Sequence, residues 1–122
     1  MDLNLKQAYS VMLNMLDTYY WETKNDDLGA MLGFMSTDIL EGDEPADSAV
    51  WDTWKDCATS ITNDEFLSSE QAFAITLAFL NIYNQEFGFN IKDIITKIID
   101  SSENDAKWVK GINKVLTTQQ NG

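Results

Sequence analysis

Carboxylates are the reactive side chains that this sequence clusters most densely. Eight of them lie between Asp26 and Trp54, in a stretch without any basic residue. Such a cluster could hold a divalent cation, exchange protons as a general acid and base, or bind the basic groups of another protein. Each of these chemistries needs its own spacing and companion residues, so the sequence around the acids distinguishes among them.

The spacing of the acids does not support a metal site. A calcium loop of twelve residues needs oxygen ligands at positions 1, 3 and 5, glycine at 6 and glutamate at 12. Counting from Asp43 places Ser48 at the glycine position and Trp54 at the glutamate position. The chain has no histidine and one cysteine, Cys57, so zinc lacks ligands as well. We predict no metal and no cofactor.

The residues that usually accompany catalytic acids are missing. Histidine carries protons near neutral pH and arginine clamps anions, and the sequence contains neither. Neighbouring carboxylates such as Asp26 and Asp27 point in different directions on a helix, and they suit a helix N-terminus, where negative charge is favourable. There is no glycine-rich phosphate loop of recognised spacing. We predict that the protein is not an enzyme.

The distribution of charge agrees with the third chemistry, binding of basic groups. The chain has 20 Asp and Glu against 8 Lys, a formal net charge of -12 at pH 7. Between Asn25 and Ile91 there are 13 acids and one lysine, Lys55, which accounts for all of that net charge. Such a field repels nucleic acid and anionic membranes and speeds encounter with a basic partner. Solubility is the simpler explanation of the same charge.

The elements that must position these acids are predicted to be helices, present in two copies. The residues from Leu3, LNLKQAYSVMLNMLDTYYWE, align without gaps on those from Leu67, LSSEQAFAITLAFLNIYNQE, and further on Trp51 aligns with Trp108. In both copies apolar residues recur at steps of three and four, the period of an amphipathic helix. We predict a single all-α domain over 1–122, made of two duplicated three-helix units at about 3–61 and 67–117.

Six helices are expected, at about 4–24, 26–36, 47–61, 68–87, 90–100 and 103–117. Residues that can cap a helix N-terminus precede them: Asn4, Asn25, Asp47, Ser68, Asn90 and Ser102. Asn4 and Ser68 each stand three residues before a glutamine, which is the spacing of a capping box. Pro45, within STDILEGDEPAD, predicts a surface loop between the second and third helices.

Small and aromatic residues predict where helices approach closely and where they meet solvent. The small residues expected at close contacts are Ala8, Ala72, Gly29 and Gly33. A helix rarely buries three successive aromatics, so at least one of Tyr19, Tyr20 and Trp21 must approach the surface. Trp51 and Trp54 are three apart and can share one face; burial in the core is the simpler reading, and an interface anchor is the alternative. Cys57 is expected to face the interior.

Most of the sequence resembles a known family, and the likeness is strongest in the first half. The run QAYSVMLNMLDTYYWETKNDDLGAMLGFM, followed by EPADSAVWDTW, is similar to the small helical immunity proteins of bacterial contact-dependent growth inhibition systems. The matching features are an alanine-aromatic helix start, a double tyrosine, a DDLG step and a proline-aspartate-tryptophan entry to the third helix. The resemblance implies a cytoplasmic protein without activity of its own that neutralises one toxin domain, often a nuclease with a basic cleft.

Charge and resemblance together predict an immunity protein that covers the active-site cleft of a basic ribonuclease with an acidic surface. A cytoplasmic location also fits the start MDLNLKQAYS, which has no basic region and no long apolar run. We expect a monomer that binds neither nucleic acid nor membrane. The expected contacts are acids that accept charge-assisted hydrogen bonds, with two aromatic anchors: Asp38, Glu41, Asp43, Glu44, Asp47, Asp52, Asp26, Asp27, Trp51 and Tyr20.

Two other binding functions stay open at this point. The protein could be a helical adaptor or chaperone that takes a partner's amphipathic helix into an apolar groove between its repeats. Met31 and Met35 would then adapt that groove to varied ligands. It could also imitate duplex DNA to block a DNA-binding protein. Salt distinguishes groove binding, because only a charge-led complex should form more slowly as ionic strength rises.

Overall fold

The chain folds into six α-helices in a computed structural model that describes residues 3–35, 48–101 and 106–121. In chain order they are α1 (Leu5–Thr23), α2 (Asp26–Met35), α3 (Ser48–Ile61), α4 (Ser69–Gln85), α5 (Lys92–Ser101) and α6 (Ala106–Asn121). The predicted all-α fold is confirmed, with every observed boundary within a few residues of the expected one. Within the described ranges, no helix is long and apolar enough to cross a membrane.

Local capping sets where the helices begin. The Asn4 side chain accepts the Gln7 N–H at 2.8 Å while the Gln7 side chain accepts the Asn4 N–H at 2.9 Å, so α1 begins with a complete capping box. Ser68 and Gln71 form the same box at the start of α4. Both predicted boxes are confirmed, and each satisfies two backbone donors that a helix start leaves open.

The other predicted caps have mixed outcomes. The side chain of Asn25 caps α2 by accepting the Leu28 N–H at 3.0 Å, as expected. Asn90 is not the N-cap of α5. That helix begins at Lys92, which makes Ile91 the N-cap residue. Asp47 and Ser102 lie outside the described residues.

The third helix of each predicted unit packs against the first helix of the other unit. α6 lies against α1, and α3 lies against α4, while α2 packs on α1 and α5 packs on α4. Exchanging α1, α2 and α3 for α4, α5 and α6 reproduces this set of pairs. At the centre, Leu3 and Leu67 exchange two backbone hydrogen bonds, of 2.8 and 2.7 Å, in an isolated antiparallel bridge. The duplication stays a prediction, and this arrangement is the one that a swapped pair of three-helix units would produce.

Two fully buried tryptophans anchor α3 and α6, the third helix of each predicted unit, in the core. The Trp54 ring packs edge-on against Tyr9 and Phe79, and its indole N–H donates to the Leu5 carbonyl at 3.2 Å. Trp108 packs edge-on against Phe73, and its indole N–H donates to the Ser69 hydroxyl at 2.9 Å.

These contacts bear on one detail of the predicted alignment. Leu5 and Ser69 are aligned positions, as are Tyr9 and Phe73. Trp54 and Trp108 make matching contacts, which favours aligning Trp108 with Trp54 in place of Trp51; like the duplication itself, this alignment stays a prediction.

Glycines mark two of the closest approaches. A Cβ on Gly29 would lie 2.7 Å from the Tyr20 ring, so the predicted close contact there is confirmed. Ala8 and Ala72 are fully buried, as residues at a close contact between helices should be. A Cβ on Gly33 would meet nothing within 4 Å, so that prediction was wrong. Gly111, which the sequence pattern did not single out, lets α6 approach α1, since its Cβ would lie 3.3 Å from the Val11 carbonyl oxygen.

Candidate acidic interface

Half of the ten predicted contact residues belong to the segment between α2 and α3, outside the described ranges. Asp38, Glu41, Asp43, Glu44 and Asp47, together with the loop around Pro45, lie outside the described residues. The other five form two groups. Trp51 and Asp52 are on α3, while Tyr20, Asp26 and Asp27 lie where α1 passes into α2.

The solvent face of α3 carries two acids one turn apart. Asp52 is exposed and its carboxylate lies 3.5 Å from the Lys55 ammonium, in a pair with side chains 70% and 48% exposed. An exposed pair of this kind contributes only about 0–1 kcal/mol, so a partner can displace Lys55 at little cost. Asp56 is also exposed. It was not predicted as a contact, although its spacing of four residues from Asp52 was a usable signal.

The exposed acids continue from α3 into the start of α4. Asp64, Glu65 and Glu70 are all exposed and, with Asp52 and Asp56, form what we call the acidic strip. Within the described ranges, Lys55 is the only lysine within 4 Å of any acid in this strip. Four carboxylates of the strip are therefore available to accept hydrogen bonds from a basic partner.

At the α1–α2 corner the two adjacent aspartates differ in role. Asp27 accepts the Asn90 N–H at 2.5 Å, and the Asn25 amide donates to the Asn90 carbonyl and to the Asp93 carboxylate, both at 3.1 Å. These bonds tie the start of α2 to the start of α5. Asp26 is exposed beside them. Of the two, Asp26 is the better placed to meet a partner, and Asp27 is engaged within the fold.

The two predicted aromatic anchors are less accessible than a neighbour. Trp51 is half-buried with its ring edge-on to Tyr9 at 5.8 Å, and Tyr20 is half-buried against Gly29. Trp21 is 63% exposed, with the Lys24 ammonium 3.7 Å from its ring centre. The expectation that one of the three successive aromatics reaches the surface is confirmed. The sequence did not show which one, because that depends on how α2 covers α1.

The two methionines that an adaptor would use to line its groove are both in the core. Met31 and Met35 are fully buried, and the Met35 carbonyl accepts the Tyr9 hydroxyl at 2.6 Å. Neither methionine therefore lines an open groove of the kind that an adaptor would need.

The single cysteine is also interior, as predicted. Burial, with smaller effects from the Asp56 and Glu86 carboxylates, raises the pKa of the Cys57 thiol. A thiol with a raised pKa stays protonated near neutral pH and is a poor nucleophile.

Among the residues that the structure describes, no group of three or more acids and cysteines is arranged to hold a metal ion.

Comparison of the chain with known protein families, with curated proteins and with solved structures finds no match.

Proposed function

We propose that this protein is an immunity protein that binds a basic toxin ribonuclease and covers its active-site cleft with an acidic surface. The observation that carries the proposal is the placement of charge, since the whole net charge of -12 lies between Asn25 and Ile91. The resemblance of the first half of the chain to immunity proteins of contact-dependent growth inhibition systems supports the same function.

The physical argument rests on imitation of the substrate. A ribonuclease cleft is shaped to hold phosphates with lysines and arginines, and carboxylates can accept charge-assisted hydrogen bonds from the same groups. The acidic strip supplies exposed carboxylates for this purpose, and Asp26 adds another at the α1–α2 corner. Binding would also relieve the mutual repulsion of these acids.

Charge and packing would contribute differently to the complex. Complementary potentials raise the association rate and orient the partners, whereas slow dissociation depends on a few well-packed anchors. Fast association matters for a protein that must intercept a toxin before it cleaves RNA. Inhibition would be stoichiometric, because the protein acts by occupying the cleft and needs no catalytic group of its own.

Calorimetric titration with the product of the gene directly upstream, at about 50 and 300 mM salt, tests this function, alongside an RNA-cleavage assay. We expect tight one-to-one binding, loss of cleavage and, in stopped-flow mixing of the same two proteins, association that slows with salt. The key variant combines Asp43→Asn, Glu44→Gln and Asp47→Asn. Its matched control neutralises Asp2, Asp17 and Asp100, three acids outside the acidic middle of the chain.

The outcomes separate the competing functions. Weaker binding by the first variant and not by the control would support an interface in the acidic middle. Equal effects of both variants would remove that loop from the interface. Binding that does not respond to salt would favour an adaptor, and competition by duplex DNA would favour a DNA mimic. Absence of binding at either salt concentration would overturn the assignment for that pair of proteins.

A further inference from the structure

A cluster of lysines in this acidic protein lies between α1 and α6. Lys107, Lys110 and Lys114, three of the eight lysines, line one cavity of about 210 Å³. Their spacing of three and four residues places them along one side of α6. Asn14, Asp17 and Thr18 of α1 form the opposite wall. We call this cavity the lysine groove.

The floor and one end of the lysine groove are held firmly. Gly111 forms part of the lining and lets the two helices come close at Val11. The Lys107 ammonium lies 3.4 Å from the Glu22 carboxylate and 4.9 Å from the centre of the Tyr19 ring. These contacts hold the Lys107 ammonium at one end of the groove, where a phosphate would compete with the Glu22 carboxylate.

The other two ammonium groups are available. Lys110 and Lys114 are exposed, and in the described part of the chain no carboxylate lies within 4 Å of either. Asp17 lines the same cavity without forming an ion pair to them. With Glu22 paired to Lys107, the lining and its end carry three positive and two negative charges, and the two of these positive charges without an ion pair in the described ranges are those of Lys110 and Lys114.

We propose that the lysine groove binds the phosphates of a small oligophosphate, with two adjacent phosphoryl groups as the recognised element. Lysine ammonium groups bind phosphate oxygens as point charges. The cavity, at about 210 Å³, falls below the roughly 300–1,000 Å³ of a site that encloses a whole ligand, so it has room for small groups only. The phosphates fit within it, and any attached group stays outside.

A nucleic acid strand is the less suitable occupant. The groove offers a single short row of lysines, and further phosphates along a strand would meet the field of a protein with net charge -12. This site is independent of the proposed immunity function, since it uses α6 and a different set of charges.

Calorimetric titration of the full chain with sodium pyrophosphate at low salt tests the proposal. We expect saturable one-to-one binding that weakens by about tenfold or more in the double variant Lys110→Gln, Lys114→Gln. The matched control is Lys92→Gln, Lys97→Gln, which removes two exposed lysines from α5 and should change affinity by less than about twofold. Thermal unfolding of each variant confirms that it is folded.

Neutralising Asp17, the acid of the groove, should change the affinity for pyrophosphate in the opposite direction. Asp17→Asn should tighten pyrophosphate binding several-fold, because it removes the one negative charge from the lining. Such a gain cannot result from damage to the fold.

Further ligands distinguish the source of the phosphates. Adenosine diphosphate should bind about as tightly as pyrophosphate, and adenosine monophosphate should bind more weakly. No saturable binding up to about 10 mM pyrophosphate, equal losses in both lysine doubles, or no gain in Asp17→Asn would overturn the proposal. Residues 36–47 carry five carboxylates, which could bind lysines in place of phosphates. Tighter binding of a peptide with that sequence, or of a single-stranded oligonucleotide, would also overturn the proposal.

Discussion

α3 and α6 occupy corresponding places in the fold but carry opposite charge on their solvent faces. Each packs against the first helix of the other predicted unit. Each also buries one tryptophan, whose indole N–H donates to the first turn of the first helix in its own unit. Yet α3 presents Asp52 and Asp56, whereas α6 lines the lysine groove. The packing faces are alike and the exposed faces differ, so two helices with the same role in the fold can present opposite charge to binding partners.

The tryptophans give the largest expected effects. Trp54→Ala and Trp108→Ala should each lower the free energy of unfolding by about 3–5 kcal/mol, because both remove a fully buried ring and its hydrogen bond. Trp21→Ala is the control, with an expected loss of about 1 kcal/mol or less, since its ring is exposed. Urea denaturation measures all three. A loss at one buried tryptophan far below that at the other would show that the two helices are not equivalent.

Three residues after each buried tryptophan the two helices differ, with Cys57 on α3 and Gly111 on α6. Gly111→Ala should destabilise the protein by about 1–3 kcal/mol, because the added methyl group would press on Val11. Gly33→Ala should instead stabilise it by about 0.5–1 kcal/mol, since the space there is open. Thermal unfolding compares them. Equal shifts in the same direction would show that the α1–α6 contact is looser than described.

The charge difference is tested on the association rate. If the acidic strip meets the toxin, the double variant Asp52→Asn, Asp56→Asn should associate about fivefold more slowly at low salt. Lys110→Gln, Lys114→Gln should not slow association, because it removes positive charge from the other helix. Stopped-flow mixing with the upstream gene product measures both rates. Similar slowing in the two variants would place the interface outside α3.

The smallest effect concerns Cys57. Because burial raises the pKa of its thiol, the folded state holds the proton at a pH where the unfolded state releases it. The stabilisation that depends on this proton is complete below the pKa of the unfolded thiol and is lost as pH rises through the folded pKa. As pH rises from neutral through the pKa of the unfolded thiol, wild type should lose more stability than Cys57→Ser. Parallel pH curves for the two proteins would contradict this.

Local signals in the sequence predicted the helices well and their partners poorly. Asn4 with Gln7, and Ser68 with Gln71, act over three residues, so their capping boxes are visible in the sequence. The period of the apolar residues showed which side of each helix is buried. It did not show that α6 packs on α1, nor which of Trp51 and Trp54 points inward, because those facts depend on contacts between distant segments.

The same limit applies to the candidate site. The excess of acids in the middle of the chain was evident from composition, whereas the hydrogen bond from the Asn90 N–H to Asp27 joins residues 63 positions apart. That bond separates the roles of Asp26 and Asp27, which the sequence treated as a pair. The lysine groove was missed because the two ends of the chain hold seven lysines and seven acids, so they show no excess of positive charge in composition. The convergence of three of those lysines appears only in the folded protein.

The contact between α1 and α6 also has a consequence for biosynthesis. Roughly 80 residues separate the end of α1 from the start of α6, which a ribosome adds in about 4–16 seconds at about 5–20 residues per second. During that interval the side of α1 that α6 later covers, including Val11, has no cover. A nascent chain interrupted before α6 would expose this apolar surface to chaperones and proteases, so incomplete copies should be short-lived in the cell.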